Sequence, residues 1–369
     1  MGAQRERGVA GGSAVLLGAV AMTSVLNYGL GLALAWLLPA DRFGTVGTML
    51  ALLLLATSVL AAGFPWALAR AVAAAPEGAS SAQAAAIFRA ALIGNVGFGL
   101  ILAVAFVAIQ LTSGAFLTGL GTGPTLLIGA AIVLLAMGSV QVGALQGARR
   151  FDAVATTRVL ECLAKVVLTL GAVTVLALGV GGVAVALTVS AAAAAAWSLW
   201  SLRDRWPGRG PVAAAKTFAE AVPLSVATTG FGMLGTLDVL LLEVLGRSAG
   251  VTAATVGIYQ AAAIIGRAPF FLGSAISEAV FPHIARARTL ADAHRVTMTA
   301  LRFVPLVLVP AQLVLLVAPN WALSIVLPAA YADATEPLRV ITLGTIGLLV
   351  ADVLIKALLA RGFGGIVAW

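Results

Sequence analysis

Ten long apolar stretches constrain this sequence more than any other feature. Hydrophobic residues make up 61% of its 369 residues and charged residues only 10%, whereas about a quarter of a soluble domain is charged. A helix needs roughly 20 mostly apolar residues to cross the roughly 30 Å of hydrocarbon in a bilayer. We therefore predict an all-α membrane protein with about ten transmembrane helices, at approximately 12–38, 43–70, 86–111, 125–147, 153–177, 181–202, 217–245, 254–281, 297–319 and 337–360.

The basic residues between these spans indicate which way the chain faces. If the N-terminus is cytoplasmic, most of the 22 Lys and Arg flank the cytoplasmic ends of the spans, and the outer flanks hold only Arg42, Arg247 and Arg339. Basic residues near span ends are retained on the cytoplasmic side. The pattern predicts a multi-pass protein of a bacterial-type cytoplasmic membrane, with both termini in the cytoplasm.

Charge and composition also limit the partners. The net charge of +8 suits the anionic headgroups of membrane lipids, but the basic residues are scattered over loops, so we expect no nucleic-acid binding. Cys162 is the single cysteine, and His283 and His294 are the two histidines, which argues against a metal site. We expect no cofactor.

A faint internal repeat suggests that the chain has two halves. Thr45-Val46-Gly47 opens the second predicted span and Phe64-Pro65 closes it, as Thr255-Val256-Gly257 and Phe281-Pro282 do for the eighth. Spans that are six apart have the same orientation, so a true repeat would be a parallel one, about an axis along the membrane normal. Chance similarity is the alternative.

The segment 203–216 is polar, basic and rich in Pro and Gly, which is typical of a surface linker. We predict an N-terminal six-helix bundle at 1–202, this cytoplasmic linker, and a C-terminal bundle of four helices at 217–369. The second bundle is then two helices shorter than the first. Either the chain is naturally short, or it is part of a longer product.

Several motifs, taken in order, resemble one known family. They are Leu37–Gly44, Gly63–Arg70, Gln146–Phe151, Leu237–Leu241, Val256–Tyr259 and Phe281-Pro282. In this order they resemble the polysaccharide-biosynthesis membrane proteins, the O-antigen type flippases of the multidrug/oligosaccharidyl-lipid/polysaccharide (MOP) exporter superfamily.

The resemblance implies a fold and a function. The expected fold is two six-helix bundles that form a V around a cavity, which opens alternately to either leaflet. The expected cargo is a polyprenyl-diphosphate-linked sugar, moved outward without ATP hydrolysis, so we do not expect an enzyme. The expected partners are a polysaccharide polymerase and glycosyltransferases. Members of the family commonly have more spans than the ten predicted here.

Arg267 is the sharpest candidate for a cargo-binding residue. It lies about halfway through the eighth predicted span, two residues before Pro269. A basic residue at this depth costs about 2.5–3.5 kcal/mol on insertion scales, so it normally faces a cavity or a partner. The planar guanidinium suits a pair of phosphate oxygens, and the resemblance implies a cavity lined with arginines. Two roles for Arg267 are therefore open: it binds the diphosphate of the cargo, or it forms a structural ion pair with an acidic residue of another helix.

Other polar residues are candidates for the same cavity. Arg158, Glu161 and Lys165 share one face of the fifth predicted span. A buried Glu161–Lys165 pair that fixes helix packing is the favoured interpretation, and cavity lining is the alternative. Arg70 and Asn27 are weaker candidates, because membrane topology explains Arg70 and a bond between helices explains Asn27.

Acidic residues within membrane helices often mark proton or ion pathways. Asp238, Glu161 and Glu278 are therefore candidates for ion or proton coupling. For Asp238 and Glu278, contact with water near a helix end explains the charge equally well. Asp352 and Lys356 have the spacing of a structural ion pair.

We predict a flippase that moves a polyprenyl-diphosphate-linked oligosaccharide across the cytoplasmic membrane by alternating access. One alternative is a cation-coupled exporter of the multidrug type, in which Asp238 would carry the coupling. Another is a truncated relative that does not transport. A membrane glycosyltransferase would need acidic residues on an outer loop, where the sequence offers Asp41, Asp333 and Glu336. A basic cavity lining would favour a lipid diphosphate, and an acidic one would favour drugs.

Overall fold

A computed structural model describes residues 2–74, 81–114, 117, 120–203, 229–230, 232–286 and 289–360. Helix makes up 91% of the structure, and the described residues contain no strand. The helices are α1 Gly2–Leu37, α2 Ala40–Ala61, α3 Gly63–Ala74, α4 Ser81–Ser113, α5 Thr122–Gly147, α6 Phe151–Thr174, α7 Gly179–Ser201, α8 Leu237–Leu245, α9 Ala253–Arg286, α10 Leu290–Val317, α11 Pro319–Val326 and α12 Thr335–Ala360. Short 3-10 turns lie at Gly246–Ala249 and Ala329–Ala334. The predicted all-α class is confirmed.

Seven of the described helices are long and apolar enough to cross a membrane, and an eighth is possible if α10 and α11, which meet at 99°, form one broken span. The predicted count of ten is not confirmed. The fifth predicted span coincides with α6, which is long enough but carries four charged side chains: Asp152, Arg158, Glu161 and Lys165. Much of the seventh predicted span lies outside the described residues.

The second predicted span, 43–70, is not one helix. The chain breaks at Ala62 into α2 and α3, because Gly63 adopts a positive φ of 21° and Pro65 has no backbone N–H to continue the hydrogen-bond ladder. Asn95 of α4 compensates for the break. Its buried Nδ2 donates to the Leu60 carbonyl at 3.1 Å and to the Ala136 carbonyl at 2.8 Å.

Two glycines of α5 hold α3 in place. A Cβ atom on Gly143 would lie 2.6 Å from the Pro65 carbonyl oxygen, and one on Gly147 would lie 2.7 Å from the Ala69 carbonyl oxygen. Small residues four apart allow two helix backbones to approach this closely in a membrane. The direction of α3, and with it the position of Arg70, is thus fixed by backbone contact with α5.

The chain divides into two compact units. The first consists of Met1–Leu26 and Thr48–Leu240, and the second consists of Asn27–Gly47 and Leu241–Trp369. Helices α1 and α2 therefore each contribute one part to either unit. The division into bundles at 1–202 and 217–369 stays a prediction, and residues 204–216 of the predicted linker lie outside the described residues.

Each unit has its own packed core. In the first unit, α6 and α7 pack along their length and are joined by a hydrogen bond of 3.1 Å between the hydroxyls of Thr157 and Ser198. In the second unit, α9 packs against α10 and α12. There the Thr345 hydroxyl donates to the Gly266 carbonyl at 3.2 Å, and a Cβ on Gly273 would lie 2.7 Å from a methyl group of Leu308.

The contact between α3 and α5 can be tested with two glycines of the same helix. We expect Gly143→Ala to destabilise the protein by about 1–3 kcal/mol, because the added methyl meets backbone that cannot rotate away. Gly138→Ala is the matched control, because a Cβ there meets nothing within 4 Å. The measurement is thermal unfolding of both variants in the same detergent, and equal midpoints would contradict this account of the packing.

Candidate functional site

The candidate site lies in the second unit, where the hairpin of residues 27–47 meets α9. The hairpin is the end of α1, the turn at 38–39 and the start of α2. Gly44 and Gly257 bring the two backbones together. A Cβ on Gly44 would overlap the Ala253 carbonyl oxygen and lie 2.8 Å from the Gly257 nitrogen, and one on Gly257 would overlap the Ala40 carbonyl oxygen. No side chain larger than hydrogen fits at either position.

Two further glycines of the hairpin receive side chains of α9. A Cβ on Gly47 would lie 2.6 Å from Cγ of Gln260, and one on Gly31 would lie 2.9 Å from Cδ1 of Ile264. Along this face of α9 the hairpin is therefore in contact from Gly257 to Ile264, which is about two helical turns. We call the end of the unit at which α1 turns into α2 the hairpin end.

Aromatic side chains secure the hairpin end. The rings of Phe43 and Tyr331 pack edge to face with centroids 5.8 Å apart, and the Tyr331 hydroxyl donates to the Leu38 carbonyl at 3.4 Å. Nε1 of Trp36 donates to the Val326 carbonyl, at the end of α11, at 2.9 Å. These contacts and the glycines make the hairpin end a closely packed layer.

Asn27 and Arg267 lie at one level, just beyond this layer. Helix α1 runs antiparallel to α9, and Gly31 of α1 meets Ile264 of α9. Asn27 is one turn before Gly31, and Arg267 is nearly one turn after Ile264, so the register places the two residues at the same depth on neighbouring helices. Arg267 is partly buried and Asn27 is exposed. The sequence named both residues but not their common level.

A second group of charges lies on α6 in the first unit. Arg158 is exposed, and Glu161 and Lys165 are partly buried, although all three lie on the same side of the helix as the buried Val154 and Thr169. Cavity lining and a buried Glu161–Lys165 pair that fixes helix packing therefore both stay predictions.

The remaining predicted residues are more dispersed. Arg70 is exposed on α3, and Asp238 is partly buried in the first turn of α8. The side chains of Glu278 and Lys356 lie outside the described part of the structure, so their predicted roles stay predictions.

Sequence reasoning missed three polar features. Glu243 is only 3% exposed and forms an ion pair of 2.7 Å with Arg247. The spacing of four residues was the available signal. Asn95 and Gln260 were not singled out. The amide oxygen of Gln260 is buried and has no hydrogen-bond partner among the described residues.

Similar folds occur among transporters of the MOP superfamily. One is described as the inward-facing conformation of a multidrug resistance MATE family transporter of that superfamily; it has 14% sequence identity and a TM-score of 0.69, and the match covers 96% of this chain and 87% of that one. An outward-facing conformation of such a transporter matches with 15% identity, a TM-score of 0.62, and coverage of 97% and 82%. A MOP superfamily transporter from Pyrococcus furiosus, described as having a binding pocket of reverse polarity, matches with 14% identity, a TM-score of 0.65, and coverage of 98% and 84%. Among curated proteins, no match was found.

The fold defines the chain as a multi-pass membrane protein with the architecture of MATE transporters. The sequence then specifies the family. The family model for "Polysaccharide biosynthesis protein" matches residues 9–288, so this chain belongs to the polysaccharide biosynthesis protein family of membrane exporters. This confirms the family predicted from the ordered motifs. Both the family and the fold are those of transporters.

The prediction that this side of α6 lines a hydrated cavity can be tested by comparing two positions of nearly equal depth. We expect Lys165→Cys to react with a water-soluble maleimide about tenfold faster than Val167→Cys, because a thiol must ionise in water to react. Val167 lies on the opposite side of α6 and is 64% exposed, which makes it the lipid-facing control. Both variants are made in a Cys162→Ser background and labelled in nanodiscs. Faster labelling at position 167 would contradict a hydrated opening beside α6.

Proposed function

We propose that this exporter moves a polyprenyl-diphosphate-linked oligosaccharide across the cytoplasmic membrane by alternating access. The observation that carries the proposal is the position of Arg267, in the middle of an apolar helix and directly beyond the closely packed hairpin end. Membership of the polysaccharide biosynthesis protein family supports the same cargo class.

The chemistry of Arg267 suits a diphosphate. A guanidinium within the hydrocarbon region needs polar surroundings, because its insertion there is unfavourable by about 2.5–3.5 kcal/mol. Its fork of N–H donors can bind two phosphate oxygens at once, and such charge-assisted pairs are stronger than neutral hydrogen bonds. The Asn27 amide at the same level could add a donor to a phosphate oxygen or to a sugar hydroxyl.

The distribution of basic residues suggests how the site faces the cell. If the N-terminus is cytoplasmic, the hairpin end is the outer end of the unit, and Arg267 lies on its cytoplasmic side. Lipid-linked cargo made in the cytoplasm would then meet Arg267 while the hairpin end is closed. Arg70, Arg158 and Lys165 remain our candidates for binding the headgroup in the first unit. Asp238, Glu161 and Glu278 remain our candidates for ion or proton coupling, and a polymerase and glycosyltransferases remain the proposed partners.

A multidrug-type exporter is the second candidate, because solved transporters of this fold are described as multidrug resistance proteins. The charges favour the lipid diphosphate. Arg158 and Lys165 outnumber Glu161 on one side of α6, and Arg267 is the charged residue in the described mid-section of α9. A cationic drug would be repelled by such surroundings.

Lipid extracts of cells that depend on this protein would test the cargo and Arg267 together. We expect deletion to cause accumulation of a polyprenyl-diphosphate oligosaccharide, measured by mass spectrometry, and the wild-type chain to reverse it. Arg267→Ala should leave the lipid accumulated, and Arg267→Lys should restore part of the activity, because lysine keeps the charge but loses the fork.

Arg339→Ala is the matched control for this experiment. Arg339 is a partly exposed arginine paired at 2.8 Å with Glu336, and we expect its loss to leave transport intact. Full activity of Arg267→Ala at normal expression would remove Arg267 from the mechanism. If deletion causes no accumulation after redundant flippases are removed, the cargo class is wrong, and drug sensitivity of the deletion strain becomes the decisive assay.

A further inference from the structure

The contact between the hairpin and α9 is built from the same short motif twice. Ala40–Gly44 and Ala253–Gly257 both read Ala-x-x-x-Gly and both lie in the first turns of their helices. The pairing is reciprocal: Gly44 lies against the carbonyl of Ala253, and Gly257 lies against the carbonyl of Ala40. The two helices run parallel here, as do helices that associate through small residues four apart.

The crossing depends on backbone rather than on side chains. Because neither glycine has a Cβ, the partners in contact are Cα groups, amide nitrogens and carbonyl oxygens. Contacts of the Cα–H···O type are individually weak, and at these two glycines no side chain interlocks. The side chains that have to leave the hairpin when it parts from α9 are those of Gln260 and Ile264, which lie against Gly47 and Gly31. A larger residue could not be accommodated by a change of rotamer, since the neighbouring atoms are main chain.

Gln260, one turn further along α9, disfavours the contact between the hairpin and α9 that the glycines favour. It lies against Gly47, and its buried amide oxygen has no hydrogen-bond partner in the described part of the chain. A buried acceptor without a partner disfavours the state in which it is buried. Separation of the hairpin from α9 would open this oxygen to water or to a new donor.

We propose that the Ala40–Gly44 and Ala253–Gly257 crossing is a releasable seal on one side of Arg267, and that Gln260 keeps the seal weak enough to open. The glycines hold the hairpin on α9, and the buried amide oxygen opposes them. Solved structures of this fold are described in both inward-facing and outward-facing conformations, so a transporter of this kind needs such a contact to form and to part. The proposal builds on the transport function given above but not on the identity of the cargo.

Disulfide formation between the hairpin and α9 measures closure of the seal directly. Gly31→Cys and Ile264→Cys are combined in a Cys162→Ser background. A Cβ at position 31 meets only side-chain atoms of Ile264, and the substitution at position 264 removes most of them. The initial rate of disulfide formation under a mild oxidant, in nanodiscs and without cargo, reports how often the hairpin rests on α9.

Two added substitutions should change this rate in opposite directions. We expect Gly44→Ala to lower it by about fivefold or more, because the methyl group separates the backbones. Gln260→Met should raise it by about threefold, because the side chain keeps its length and loses the unpartnered oxygen. Gly347→Ala is the control: a Cβ there meets nothing within 4 Å, and the rate should stay within about twofold of the parent.

A rate for Gly44→Ala equal to that of the control would overturn the seal, and a lower rate for Gln260→Met would overturn the role given to Gln260. If Gly44→Ala does not reach the membrane, the Gln260→Met comparison decides alone. No cargo is present, so the outcome does not depend on the lipid assay. The seal can be right while the cargo is wrong, and the two experiments would show this separately.

Discussion

Hydrocarbon offers no partner to a backbone N–H or carbonyl group, so a chain in a bilayer must satisfy these groups internally. Helices do so along their length, and the exceptions in this protein show how strictly the rule applies. Where α2 breaks before Pro65, the amide of Asn95 reaches the Leu60 carbonyl. Where α7 ends, the guanidinium of Arg150 donates to the Ser201 carbonyl. At these two places a side chain from elsewhere in the chain supplies a missing bond.

The same constraint explains why glycine has two different uses here. Lipid tails are as apolar as the side chains of a membrane helix, so no hydrophobic effect drives the helices together. Membrane helices associate instead through close packing. Gly143, Gly147, Gly44 and Gly257 each receive another backbone, and a Cβ at any of them would collide with main-chain atoms. At Gly138 and Gly347 a Cβ would meet nothing. The 41 glycines of the sequence look alike in composition, and only the helix pairing separates structural glycines from replaceable ones.

Prediction from the sequence succeeded for features that depend on local composition. Most helices were placed within about five residues, because each depends on its own run of apolar residues, but α1 begins ten residues and α10 seven residues before the predicted span, and α11 was not predicted as a separate helix. The break at Ala62 could not be placed, since Phe64-Pro65 was interpreted as the end of a span. Similarly, the repeat aligned Gly47 with Gly257, whereas the structure brings Gly44 against Gly257. The angle at which two helices cross decides which of their residues touch, and a repeated sequence motif does not specify that angle.

The site shows the same division between local and tertiary information. Arg267 could be named from the sequence because a charge in the middle of an apolar helix is conspicuous, and Asn27 because it is polar within the first span. Their common level depends on the register between α1 and α9, which Gly31 and Ile264 set. The Glu243–Arg247 pair, by contrast, was within reach of sequence reasoning, because its spacing of four residues is local.

Position along α9 links the packing to the chemistry. From Gly257 to Arg267 is roughly 15 Å at 1.5 Å per residue, and over this distance the surroundings of the helix change from backbone contact to a charged side chain. The crossing of the two backbones at Gly44 and Gly257 leaves no room for water, whereas the guanidinium of Arg267 needs polar surroundings. If Arg267 binds the cargo as proposed, an ionic headgroup would reach it only from the side away from the crossing. One-sided access of this kind is what alternating access requires of the proposed exporter.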